Sequence, residues 1–311
     1  MKDETYTNPE TPEAGVKSDI KLYNYDGTQY ALLASTNHGG SDYGLLQRCR
    51  VVGEVANNDV RCDTSSPLTT ILDGARELRS FNSVSIVGTT AYVYSSTDLS
   101  LSQAYYQCDL TKTEEFCTLV NNSAINLSHI IKSIAGDPFD NTRILIMTEH
   151  QDTGTAMLQS CSTTEANSCE AITTEGTGTP IEYAQAMAVK SSPAGQRRMF
   201  IADSSGGDDI VQCDFNGERA LTNCSRFSVI RRTDPGIGVD RRVYDMAYDA
   251  TSNRLYVTFH NPGSPLGAGG GLAYYELNEN GAIIRDSEKY IVGSADSNTR
   301  QFSAMGFSLI P

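Results

Sequence analysis

Eight cysteines, four histidines and one cluster of arginines are the residues of this 311-residue chain whose types and spacing could do chemistry. The cysteines fall into four close pairs: Cys49/Cys62, Cys108/Cys117, Cys161/Cys169 and Cys213/Cys224. Cysteines so placed either staple a hairpin or hold a metal as thiolates. No Cys-x-x-Cys occurs and each pair is local, so the pairs read as four disulfides. Disulfides imply an oxidising compartment: extracellular, cell-surface or periplasmic. His38, His129, His150 and His260 could hold zinc, copper or iron, with Glu149 and Asp245 as oxygen ligands. A calcium ion held by loop carboxylates is an equally open version. No local spacing motif ties the histidines together, and the competing reading is that loops are simply where polar residues go. Arg231, Arg232, Arg241 and Arg242 make one loop positive on an otherwise acidic chain, and their forked donors suit a carboxylate, sulfate or phosphate. Pairing with nearby acids is the alternative there.

The elements that must position these residues emerge from a repeat. The cysteine pairs recur at intervals of fifty-odd residues, each first cysteine following a short apolar stretch and a glutamine: Leu46-Gln47-Arg48-Cys49, Tyr106-Gln107-Cys108, Leu158-Gln159-Ser160-Cys161 and Val211-Gln212-Cys213. A fifth copy, Ala273-Tyr274-Tyr275-Glu276-Leu277, has lost the cysteine. The copies with Gln47 and Gln159 carry one extra residue before the cysteine, which predicts a bulge there. Upstream of each copy lie two β-rich segments, for example Val84–Val87 and Ala91–Ser95, and downstream a fourth, such as Phe116–Val120. Turn pairs such as Asp26-Gly27 punctuate them. Four-stranded units at this period are the mark of propeller blades.

The turn-plus-strand pattern Asp249-Ala250-Thr251-Ser252-Asn253-Arg254-Leu255-Tyr256-Val257 resembles the repeats of YVTN-type and lactonase-type propellers. The third and fourth strands resemble those of secreted propellers with a Cys pair in each outer hairpin. The reading is therefore an all-β, five-bladed propeller over residues 18–311, closed by the C-terminal strand Phe302–Leu309, after a flexible segment over residues 1–17. Six blades are the alternative. The resemblance further implies that the second-to-third strand loops and the blade-to-blade loops share one face, which carries the binding site. All four histidines and the Arg231–Arg242 loop map there.

Composition bounds the rest. The net charge of −14 excludes general affinity for nucleic acid, and no apolar run is long enough for a transmembrane helix. The polar N-terminus has no signal pattern, which implies that a signal was removed and that Met1 was added. Sequons at Asn121, Asn126 and Asn223 fit surface glycosylation. Gly-x-Ser-x-Gly and His-Glu-x-x-His are absent, and the chain has no tryptophan. These features favour a binding module for a protein or anionic partner over catalysis. A metal-dependent, lactonase-like hydrolase and a structural surface or matrix protein are the alternatives.

Overall fold

The computed structural model describes residues 18–35, 45–52, 59–62, 83–95, 103–112, 117–165, 167–174, 181–190, 197–203, 209–216, 219–228, 242–260, 271–287 and 289–292. These form twenty strands and no helix. The first unit holds β1 (Ser18–Tyr25), β2 (Thr28–Ser35), β3 (Leu45–Val52) and β4 (Asp59–Cys62); the second holds β5 (Ser83–Val87), β6 (Thr90–Tyr94), β7 (Ala104–Asp109) and β8 (Cys117–Asn121). The third holds β9 (His129–Gly136), β10 (Arg143–His150), β11 (Ala156–Ser162) and β12 (Cys169–Thr174). The fourth holds β13 (Ala184–Lys190), β14 (Arg197–Asp203), β15 (Asp209–Phe215) and β16 (Ala220–Ser228), and the fifth β17 (Arg242–Asp249), β18 (Arg254–His260), β19 (Gly271–Glu276) and β20 (Lys289–Val292).

Each unit is an antiparallel meander in chain order. Short turns impose this. Asp26 and Gly27 both take positive φ in a two-residue hairpin, the geometry whose twist matches two right-twisted strands. The first strands of successive units pack side by side in the order β1, β5, β9, β13, β17. The chain is thus an all-β propeller. The segment expected to close it, Phe302–Leu309, lies outside the described residues, as do residues 1–17.

The core lies between units rather than within them. Tyr92, Tyr94 and Tyr105 of the second unit pack on Ile131, Ile134, Ile144 and Ile146 of the third. Leu145 and Met147 of the third meet Met187, Met199 and Ile201 of the fourth. Ala186, Phe200 and Phe227 of the fourth meet Val243, Leu255 and Tyr275 of the fifth. Because the third unit is covered on both faces, by the second and the fourth, its second strand β10 is buried on both sides and reads as a continuous apolar run.

Disulfides join Cys108 to Cys117, Cys161 to Cys169 and Cys213 to Cys224, each across the third and fourth strands of its unit. The strand register also sets Cys49 directly opposite Cys62, whose side chains lie outside the described set. The bulges expected beside Gln47 and Gln159 do not occur. Both third strands run in unbroken register through their cysteines, and irregularities fall instead in the fourth unit, between Gln212 and Asp214, and in the fifth, between Leu272 and Ala273. In β11 a reversed side-chain parity is tolerated because both faces of the strand are buried, so either face accepts a small side chain such as Ser160.

Candidate functional site

The first strands put charge where they start. The fourth residue of β1 is Lys21, of β9 Lys132 and of β17 Asp245. Irregular register near the starts of β9, β13 and β17 re-aims the residues there. Lys132 is itself the residue skipped by the ladder between β9 and β10. In β17 the backbone N–H of Asp245 donates to the buried Thr258 hydroxyl at 3.0 Å, and the N–H of Met246 donates to Asp245 Oδ1 at 2.9 Å, fixing the carboxylate.

Two ion-paired groups result. Lys21 Nζ lies 2.5 Å from Asp245 Oδ2 and 3.6 Å from Asp19 Oδ1, which joins the fifth unit to the first. Asp19 Oδ2 in turn accepts the backbone N–H of Val84 at 2.8 Å, tying in the second unit. Burial works against the charge on Lys21, yet the Asp19 and Asp245 carboxylates outweigh it and hold the ammonium well above the ordinary lysine range. The Tyr94 hydroxyl lies 3.5 Å from Ser85 Oγ and donates to the Lys132 carbonyl at 3.4 Å, bridging the second and third units. Burial pushes this phenol far up as well. In the third unit Lys132 Nζ lies 3.4 Å from Glu149 Oε1. Burial raises the Glu149 carboxyl and Lys132 opposes the shift. Glu149 Oε2 is buried without a hydrogen-bond partner among the described residues.

Of the residues singled out in the sequence, His129 and His150 do come together. They open β9 and end β10, face each other in the ladder, and their rings meet edge to face at 5.1 Å. His129 Nδ1 is 3.1 Å from the buried Thr148 hydroxyl. His150 Nδ1 accepts the backbone N–H groups of Asp152 and Thr153 at 3.2 and 3.3 Å. Burial, with a smaller contribution from His150, lowers the His129 pKa. Glu149 and Asp245 are engaged by lysines rather than by histidines. His38, Arg231, Arg232 and Arg241 lie outside the described residues. His260 and Arg242 pair across β17 and β18, and their side chains are outside that set. Among the described residues no group of three or more His, Cys, Asp or Glu stands together as a metal site.

Sequence reasoning missed Asp19, Lys21, Lys132 and Tyr94. A signal was there: charged residues at the same position in the first strands of three units. Nor did that reasoning foresee the pairing of Arg226 with the fully buried Asp203 carboxylate at 2.7 Å.

No protein-family model matches the chain, and no curated protein matches it in sequence. Solved structures do match in shape. RS223 β-xylosidase superposes with a TM-score of 0.53 at 11% identity, over 86% of this chain and 94% of that one. The GH43_1 enzyme from Xanthomonas citri gives 0.50 at 10% identity, over 86% and 90%. At such identities the likeness is one of fold, and it supports the propeller. Three disulfides mark the chain as a product of an oxidising compartment. No helix among the described residues is long and apolar enough to cross a membrane.

Proposed function

We propose that this propeller is a recognition module of the cell exterior that binds a polyhydroxylated ligand, such as a saccharide, where its first strands begin. The observation that carries this reading is the compensation of Asp19, Asp245 and Glu149 by Lys21 and Lys132. Glycoside hydrolysis by two carboxyl groups needs one as an acid and the other as a free base or nucleophile. An ammonium at 2.5 Å from Asp245 ties up the second role. Fixed ammonium and carboxylate groups side by side instead offer donors and acceptors together, which is what hydroxyl groups require. The β-xylosidase with the same fold acts on a sugar, which is consistent with a saccharide as the ligand class.

The test is binding to an array of neutral and acidic saccharides, with Lys132→Ala as the comparison. A saccharide bound by the natural sequence and at least tenfold more weakly by Lys132→Ala, with unchanged circular dichroism, is the expected result. Release of sugar from aryl glycosides that Glu149→Gln abolishes would replace this reading with a hydrolase.

A metal-dependent hydrolase is the second reading, favoured by the His129–His150 contact and by the lowered pKa of His129, which keeps a ring nitrogen available near neutral pH. Catalytic zinc sites use three protein ligands, so this reading requires His38 or His260 as the third. Zinc that raises the melting temperature of the natural sequence and leaves His129→Ala unmoved would support it.

A further inference from the structure

We propose that Asn126 is the N-glycosylated residue of this protein, and that Asn121 and Asn223 are not. The inference rests on the disulfide chemistry and on local geometry, independently of any ligand.

A sequon works because the hydroxyl two residues on acts upon the asparagine carboxamide. In the Asn126-Leu127-Ser128 turn, the Ser128 hydroxyl donates to Asn126 Oδ1 at 2.9 Å and the Ser128 N–H donates to the same oxygen at 3.0 Å. Both donations draw electrons from the carboxamide and make its N–H more acidic. Asn126 is exposed, its carbonyl accepts the His129 N–H at 3.0 Å to close the turn, and Leu127 beside it is 67% exposed. No hydrogen bond holds Asn126 Nδ2 among the described residues. A glycan attached there would cover the bare Leu127 side chain.

The other two sequons are differently engaged. Ser123, the hydroxyl residue of the Asn121 sequon, donates through both its hydroxyl and its N–H to Asn167 Oδ1, away from Asn121. Asn223 donates its own Nδ2 to Asp214 Oδ2 at 3.0 Å, and the middle residue of its sequon is the disulfide-bonded Cys224.

The co-reactant is an oligosaccharide carried on a lipid pyrophosphate. Asn126 Nδ2 forms a bond to the anomeric carbon and gives up one proton. The bond from that carbon to the pyrophosphate breaks, and the lipid pyrophosphate leaves with the electron pair. Nothing is oxidised or reduced.

The experiment is site mapping on the natural sequence secreted from a eukaryotic cell behind a cleavable leader. Glycans are removed by an amidase in heavy-oxygen water, which marks each formerly occupied asparagine as a labelled aspartate. Asn126 is expected to carry the mark in most molecules, and Asn121 and Asn223 in few or none. Ser128→Ala should remove the Asn126 mark, and Ser128→Thr should keep it. Secreted protein bare at Asn126, or marked mainly at Asn121 or Asn223, overturns the assignment. The mapping needs only the natural sequence, so a variant that fails to fold does not remove the test.

Discussion

Replacing Lys21 by Met keeps an unbranched apolar stem and removes the ammonium. Asp245 and Asp19 then lose the cation that lies 2.5 and 3.6 Å from them. Breaking a buried ion pair by removing one partner costs about 3–5 kcal/mol, because the remaining charge is uncompensated. These side chains are 11–19% exposed rather than fully enclosed, which places the cost near the lower end, about 3 kcal/mol. An unfolding entropy of about 2.1 cal/mol/K per residue turns this into a fall in melting temperature of roughly 5 °C. The pH dependence carries a sign. Lys21 is held above the ordinary lysine range in the folded state, so the stability its charge contributes is fully present below the ordinary lysine value of about 10.4 and is lost only as pH rises beyond it. The deficit of Lys21→Met therefore persists at neutral pH and closes only in alkali. Thermal unfolding of Lys21→Met, of Asp245→Asn and of the double variant measures this. The double variant should cost clearly less than the two single changes added together. Strict additivity, or a shift in Lys21→Met below about 1 °C, would refute the idea that this pair couples the fifth unit to the first.

Replacing Cys161 and Cys169 together by serine opens a loop with a separation of 8 residues, and denaturant unfolding should register a loss of about 2.5 kcal/mol. Gln212→Ala strands the buried N–H of Ile283, which donates to Gln212 Oε1 at 3.0 Å from the fifth unit, at a cost of about 1–3 kcal/mol in the same assay. Gly154→Ala should also destabilise, by at least about 1 kcal/mol: Gly154 has a φ of +70°, and an added Cβ would stand 2.7 Å from the Tyr183 ring. The His129 pKa is lowered in the folded state, so the stability it contributes is present above the ordinary histidine value near 6.5 and is lost as pH falls below it. His129→Gln should flatten the melting-temperature profile between about pH 6.5 and 5 relative to the natural sequence.

The recurrence of Gln and Cys at fifty-odd residues made the units legible, because a disulfide across a hairpin needs its two cysteines directly opposite each other and so marks the third and fourth strands of each unit. The apolar run Ala91–Ser95 located β6, which spans Thr90–Tyr94, to within one residue at each end. The role of the glutamines was not legible. Gln159 Nε2 donates to the carbonyl of Ala124 at 3.3 Å and Gln212 Oε1 accepts from Ile283, so the repeated residue reaches across into the connection before its unit or into the next unit. Repetition announces that a position matters but does not say which neighbour it serves. The central charges escaped for the same reason. Lys21 and Asp245 are 224 residues apart, and only the return of the last unit to the first brings them together. The histidines were half legible: His129 and His150 share a ladder rung, whereas nothing in the repeat relates that rung to His260 at the end of β18.

The third and fourth units have one relation that the other described units lack. Thr173 and Thr174 of β12 pair in parallel with Ala220 and Leu221 of β16, fusing two outer strands into a single eight-stranded sheet. Elsewhere among the described strands, no strand ladder joins neighbouring units, which meet through apolar packing, the Lys21 ion pairs and single side-chain hydrogen bonds such as those of Asp19 with Val84 and Gln212 with Ile283. A thermal fluctuation that parts two units must therefore break a backbone ladder at this seam but only side-chain contacts at the others. The molecule is consequently stiff over one arc of its circumference and compliant over the rest. Ligand-driven strain applied at the centre would escape towards the first, second and fifth units, while the fused pair serves as the anvil against which they shift.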